Sequence, residues 1–182
     1  MNQQIAEFHK AYPDIELSIH FSDSRDDLIA EGFDLALRVG AMEDSSLKAK
    51  KVAQIFRKLV AAPSLFDAIA YPKSPDELKK FSWVQLNQLS RKRTITHVSG
   101  EKQTLKTLGK LCVDNVEAMC QFCVAGLGLA TPPDYLVEHY IKDRTLVELL
   151  PDWQVEPIPV YAVWPQNISD SSNAKRLINF LN

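Results

Sequence analysis

Few side chains in this 182-residue chain are spaced for catalysis. Cys120 and Cys123 have the separation of a redox pair, but such a pair works from a helix amino terminus, where the thiol pKa is lowered. These two lie inside a helical apolar pattern, so we interpret them as small core residues. The four histidines are scattered without metal-ligand spacing. With no nucleophile elbow or phosphate loop, we expect no enzyme, no cofactor and no metal.

Two stretches instead place polar side chains at the ends of apolar runs. Residues 32–40 (GFDLALRVG) and 125–133 (AGLGLATPP) each indicate a helix stopped by glycine and followed by a short buried strand. Open α/β sheets bind ligands beyond the carboxyl ends of such strands. Arg38, Val39 and Thr131 are therefore candidate ligand contacts.

Ser22, Arg38 and Asn87 have chemistry suited to a polar or anionic ligand. Ser22 ends an alternating apolar pattern and begins a helix, so it combines a hydroxyl with free backbone donors, although a simple helix cap is the alternative. Arg38 is able to pair with a carboxylate through two hydrogen bonds, and a surface arginine is its alternative. Asn87 follows an apolar run, where a turn role is favoured.

Composition limits the partners of the chain. The formal net charge is -2, which argues against a surface that grips nucleic acid directly. No apolar run approaches the ~20 residues of a membrane helix, and the first residues lack the features of a secretory signal, so we expect a cytoplasmic protein with no membrane contact. The local basic residues are interpreted as solvated faces or loops: Lys48, Lys50, Lys51, Arg57, Lys58, Arg91, Lys92 and Arg93.

Helices and strands alternate in the first third of the chain. Ile5, Phe8 and Tyr12 recur at helical spacing before Pro13. A short helix follows from Leu28, and this alternation is typical of a parallel sheet. Strands are predicted here over 15–21, 35–39 and 59–62.

The rest of the chain contains further strands and three helices. The pattern Asp114-Asn115-Val116-Glu117 resembles a capping box and predicts a helix that ends at Gly126. The other helices are predicted over 135–140 and 174–181. The strands are predicted over 83–86, 94–98, 108–113, 129–131, 146–150 and 160–164.

Five segments, in order, resemble the effector-binding domain of LysR-type transcriptional regulators. Together they extend over nearly the whole chain. The segments are residues 8–15 (FHKAYPDI), 27–40 (DLIAEGFDLALRVG), 59–66 (LVAAPSLF), 125–137 (AGLGLATPPDYLV) and 146–153 (LVELLPDW).

The resemblance implies an α/β, periplasmic-binding-protein-like (type 2) fold with open, mostly parallel sheets. It implies lobe I over 1–62 and 157–182, lobe II over 63–156, and crossovers near 59–64 and 150–159. A small-molecule effector would lie in the cleft between the lobes. Asn115 and Thr131 match positions that line the family's pocket, and the full predicted set is Ser22, Arg38, Val39, Asn87, Asn115 and Thr131.

The resemblance also implies partners. The family forms homodimers or tetramers by packing helices antiparallel, here the segments that contain Phe8 and Met119. DNA would be bound only through a helix-turn-helix that this chain lacks. The family's first central strand is missing too, so we expect a longer form to be more stable. The alternative function is a transporter's solute-binding protein with the same fold, which the missing signal sequence disfavours.

Overall fold

The chain forms two compact units. A computed structural model describes residues 2–21, 32–40, 42 and 47–181. The first unit comprises Met1–Gln54 with Ile158–Asn182, and the second comprises Ile55–Pro157. The first boundary between the units, after Gln54, therefore lies eight residues before the predicted end of the first lobe segment at residue 62. The second boundary, after Pro157, lies one residue after the predicted end of lobe II at residue 156. The assignment of these units as lobes stays a prediction.

Helices form where apolar residues recur at helical spacing. Asn115 begins the second helix by accepting a hydrogen bond through Oδ1 from the Ala118 N–H at 2.9 Å. Ser172 caps the last helix in the same way, through the Lys175 N–H. The helix predictions for these segments are confirmed: α1 (Asn2–Ala11), α2 (Val116–Val124), α3 (Asp134–Lys142) and α4 (Asn173–Phe180).

Strands occupy most of the predicted apolar runs, together with three segments that were not predicted, Lys48–Ile55, Lys102–Lys106 and Trp153–Val155. Short 3-10 helices lie at Pro63–Phe66 and Pro75–Lys80. The strands are β1 (Ala36–Val39), β2 (Lys48–Ile55), β3 (Val60–Ala61), β4 (Val84–Leu86), β5 (Lys92–His97), β6 (Lys102–Lys106), β7 (Leu111–Val113), β8 (Val147–Glu148), β9 (Trp153–Val155) and β10 (Ile158–Trp164).

In the first unit, a three-stranded sheet has the order β1-β10-β2, and β1 is antiparallel to β10. Trp164 and Ile178 are buried between this sheet and α4. Phe8 of α1 is fully buried, and its ring centroid lies 5.4 Å from that of Phe180 of α4. The unit is thus a small sheet packed against its carboxyl-terminal helix.

In the second unit, β4 pairs in parallel with β7, while β5 is antiparallel to both β6 and β9. A parallel bridge from Trp83 to Leu129 places residues 129–130 beside β4. Trp83 and Leu129 belong to one buried apolar cluster, and Val84 and Ala130 belong to another. Alternate residues of these strands therefore fill two cores.

The strand predicted over 15–21 is wrong. Residues 16–21 form no strand, and Ile19 and Phe21 are 51% and 75% exposed. No other strand of the described ranges pairs with this segment, so its alternating pattern has no sheet to join. The helix predicted from Leu28 lies in 22–31, outside the described residues.

Candidate functional site

The carboxyl ends of neighbouring parallel strands meet at one edge of the second unit. β4 lies between β7 and residues 129–130. Asn87, Asn115 and Thr131 follow these three segments, so the structure brings three of the predicted ligand contacts to the same sheet edge. Polar groups at such an edge are placed where α/β sheets bind ligands.

The two asparagines at this edge are exposed and also have structural roles. Asn87 lies in a turn, as predicted, in which the Leu89 N–H donates to the Leu86 carbonyl at 3.0 Å, and the Asn87 N–H continues the β4–β7 pairing by donating to the Val113 carbonyl at 2.8 Å. Asn115 caps α2. Gln88 Nε2 donates to the Asp114 carbonyl at 2.6 Å and so connects the segments after β4 and β7. The edge is therefore held together by its own polar side chains.

Thr131 is buried, at 4% exposure. Its Oγ1 accepts a hydrogen bond from Arg93 Nε at 3.3 Å. Arg93 is 5% exposed, and its Nη1 also donates to the Lys92 carbonyl at 3.1 Å. The interpretation of Arg93 as a solvated residue is therefore wrong. Its two-residue separation from buried Ile95 was the available signal, because alternate residues share a strand face.

Gln85 and Thr107 extend this buried polar layer. The register that pairs Trp83 with Leu129 brings Gln85 and Thr131 to one side of the strands. Gln85 is 3% exposed, and its Oε1 accepts from Thr107 Oγ1 at 3.0 Å. Its Nε2 has no hydrogen-bond partner among the described residues. One end of an apolar core thus holds several buried polar groups.

Arg57 adds a second positive charge near Arg93. Its Nε donates to the Glu156 carbonyl at 3.1 Å, and its Nη2 donates to the same oxygen. Burial, and then the charge of Arg93, lower the pKa of Arg57 to about 10, while the charge of Glu156 opposes the change. Burial also lowers the pKa of Arg93. Glu156, whose carbonyl accepts from Arg57, donates its N–H to the carbonyl of Thr94, the residue after Arg93, so the two arginines lie near each other.

Three predicted contacts belong to the other unit. Arg38 and Val39 lie on β1, opposite Tyr161 and Val160 of β10. Arg38 is half-buried and Val39 is 51% exposed. Ser22 lies outside the described residues. Their part in ligand binding stays a prediction.

An open groove of about 440 Å³ lies between α2 and α3, and Asn115 is among the residues that line it. On one side, Gln121 Nε2 donates to the Tyr140 hydroxyl at 2.8 Å. Cys120 also lines the groove, yet it is 3% exposed, and Cys123 is fully buried, which confirms that both are core residues. Burial raises the pKa of Cys120 to about 11 and that of Cys123 to about 12.

Over the described ranges, no three potential metal-ligating side chains gather in one place. The helices there are also too short or too polar to cross a bilayer.

Sequence comparison gives a family match over the entire chain. The model of the LysR substrate binding domain matches residues 1–182. The HTH-type transcriptional regulator PtxR of Pseudomonas aeruginosa is 30% identical over 161 residues, 88% of this chain and 52% of that protein. The HTH-type transcriptional activator AaeR of Escherichia coli K12 is 28% identical over 177 residues, 97% of this chain and 57% of that protein. The chain thus spans about half the length of these curated relatives.

Solved structures give the same result for the fold. The full-length virulence activator AphB of Vibrio cholerae superposes with a TM-score of 0.75 at 26% identity, covering 100% of this chain and 62% of that one. The regulatory domain of AphB from Vibrio vulnificus has a TM-score of 0.72 at 26% identity, covering 100% of this chain and 91% of that one. The match therefore falls on a regulatory domain.

Proposed function

Because the chain belongs to the LysR substrate-binding domain family, the effector-binding domains of LysR-type transcriptional regulators, we propose that it senses a small molecule at the carboxyl edge of its parallel strands. The family and the solved neighbours confirm the predicted α/β, periplasmic-binding-protein-like fold, with both parallel and antiparallel ladders. A transporter's solute-binding protein is not favoured, since the relatives are transcriptional regulators.

One observation carries the choice of site: the buried hydrogen bond from Arg93 to Thr131 at the end of a parallel strand. A buried polar group is costly unless it is paired, so a polar layer within a core marks a place with a specific role. Thr131, Asn87 and Asn115 are the proposed effector contacts on this unit. Arg38, Val39 and Ser22 are the proposed contacts on the other unit.

An effector screen by thermal shift tests this proposal. The chain, and the longer protein with its DNA-binding segment, are heated with a panel of small polar molecules, neutral and charged. We expect at least one compound to raise the melting temperature, because binding to the folded state alone stabilises it. Thr131→Val should reduce that rise relative to its own ligand-free melting temperature.

The matched control is Thr104→Val. Thr104 is an exposed residue of β6 whose neighbour Leu105 is buried, so the same substitution there removes a hydroxyl from the opposite, solvent-facing side of the sheet. A response to the compound that is equal in both variants would remove Thr131 from the site. No response to any compound in either form of the protein would count against effector sensing.

DNA is the proposed partner of the whole regulator, bound through a helix-turn-helix outside the segments described above. We propose a cytoplasmic homodimer or tetramer without enzymatic activity, built on antiparallel packing of α1 and α2. Phe8 and Met119 face their own cores, at 0% and 2% exposure, so the contact would use the other faces of these helices. In a gel shift, the chain alone should not give a sequence-selective complex, whereas the longer protein should.

A further inference from the structure

Buried positive charge is concentrated in the second unit. Arg93 is 5% exposed, and Arg57 is half-buried. A buried charge is strongly disfavoured unless it is paired and hydrogen-bonded. Two such charges near each other add repulsion to the cost of burial. An arrangement of this kind requires a compensating negative charge.

The described part of the chain supplies little of that compensation. No carboxylate oxygen in it lies within 4.0 Å of either guanidinium. Arg93 donates to the Thr131 hydroxyl and the Lys92 carbonyl, and Arg57 donates to the Glu156 carbonyl. The side chain of Glu156 is exposed and influences Arg57 only through its charge at longer range. The partners of the two arginines are therefore mostly neutral.

The neighbouring buried side chain adds a donor. Gln85 Nε2 is buried and has no partner among the described residues, while Gln85 Oε1 is already bonded to Thr107. Buried polar atoms in folded proteins nearly always have a partner, so the Gln85 amide is a donor to which an acceptor entering this layer would bind. Gln85 lies on the same side of the strands as Thr131, which binds Arg93. The positively charged Arg93 and the unpartnered Gln85 amide donor thus occur in one polar layer.

We propose that Arg93, Arg57 and Gln85 form a binding site for the oxyanion group of a small molecule, a carboxylate or a phosphate. An oxyanion would place a negative charge beside the two guanidinium groups. It would also accept a hydrogen bond from Gln85 Nε2. Guanidinium groups match such groups through paired hydrogen bonds. Arg57 is the half-buried member of the three, so we expect the ligand to enter beside it. The inference rests on the proposed function and specifies the chemical class of its effector.

Simple anions test the proposal directly. The chain is titrated with sodium phosphate, sodium formate and sodium acetate, each compared with sodium chloride at equal ionic strength. Melting temperature and calorimetry are the readouts. We expect phosphate or the carboxylates to stabilise the wild-type chain more than chloride does, and the responding salt identifies the type of oxyanion.

Arg93→Gln is the decisive variant, and Arg91→Gln is its matched control. Arg91 is exposed and lies two residues away, so both variants lose one positive charge from the same strand region. Arg93→Gln should weaken anion binding about ten-fold or more, the loss expected for charge-assisted hydrogen bonds. Arg91→Gln should bind as the wild type does. Arg57→Gln is measured as well, so that a folding defect at position 93 does not stop the test.

Two results would overturn the proposal. One is that no oxyanion stabilises the wild-type chain beyond chloride. The other is that the variants at positions 91, 93 and 57 bind the anion equally well. A neutral compound whose binding depends on Thr131 would, in either case, leave the sensing function intact while the oxyanion site fails.

Discussion

The two units bury different kinds of side chain. In the second unit, two apolar clusters adjoin a buried polar layer formed by Gln85, Arg93, Thr107 and Thr131. In the first unit, the buried residues of the described ranges are apolar, and three of them, Ala162, Trp164 and Ile178, form a small cluster in which the Trp164 indole N–H is the buried polar group without a described partner. Polar groups away from water need partners held in fixed positions. The larger core therefore holds the part of the proposed ligand site in which buried polar groups are fixed by hydrogen bonds.

Substitution of a core leucine should give the largest effect on stability. Leu129 is fully buried beside Trp83, so Leu129→Ala removes packing that the core cannot refill. We expect a loss of about 3–5 kcal/mol in the free energy of unfolding of the second unit. Urea titration in a Trp164→Phe background measures it, because the remaining tryptophans, Trp83 and Trp153, both belong to that unit.

Ile178→Ala is the matched change in the first unit, where Ile178 is 1% exposed. It should have little effect on the fluorescence transition of Trp83 and Trp153 if each unit has its own core. An equal shift of that transition by both substitutions would contradict the comparison. It would show that the two units unfold as one cooperative body.

The polar layer should give the next largest effect. Thr107 is fully buried, and its hydroxyl lies within hydrogen-bond distance of Gln85 Oε1 and of the Arg91 carbonyl. Thr107→Val leaves the Gln85 oxygen without this donor, while the Arg91 carbonyl keeps the Thr107 N–H. We expect a loss of about 1–3 kcal/mol by urea titration.

A double substitution separates the hydrogen bond from the loss of packing. Gln85→Met in the Thr107→Val background replaces both partners by apolar groups and should recover part of the lost stability. If the double variant is as unstable as the sum of the two single variants, the polar layer is not acting as a coupled unit.

Local signals in the sequence predicted much of the fold. The Asn115 cap and the Pro13 stop act within a few residues, so α2 and α1 have the expected type and position. The strand β2 was missed because its first half is rich in exposed lysines and lacks apolar alternation. The segment 15–21 has that alternation, but no strand among the described residues pairs with it. Strand formation depends on pairing with distant segments, which one segment does not reveal.

The site, too, was predicted where the signal is local and missed where it depends on distant segments. Thr131 was predicted because it follows an apolar run between glycine and proline signals. Arg93 and Arg57 were missed because a basic residue is normally solvated, and composition outweighed position. The burial of Arg93 depends on the cross-strand register that packs β5 against β6 and β9, and that of Arg57 depends on its bridge to Pro133 and its hydrogen bond to Glu156. The family resemblance predicted the part of the chain that contains the site. The buried arginines in it were identified only from the three-dimensional contacts.

Thiol labelling should detect the smallest effect, and it probes the second unit selectively. All three cysteines belong to that unit, where Cys112 is exposed and Cys120 and Cys123 are buried. With Ellman's reagent at pH 8, Cys112 should react in a fast phase that Cys112→Ser abolishes. The other two should react slowly, because thiolate is the reactive form and burial raises their pKa values to about 11 and about 12.

The slow phase then measures the opening of the second unit alone. Leu129→Ala should accelerate it, whereas Ile178→Ala should not. A raised thiol pKa means that the folded unit keeps protons that the unfolded chain releases above its ordinary value of 9.0. This contribution to stability is complete below pH 9 and is lost as the pH rises towards 11. The slow phase should therefore accelerate above pH 9 by more than the rise in thiolate fraction alone explains. Fast labelling of all three thiols at pH 8 would instead show that the core of this unit is open.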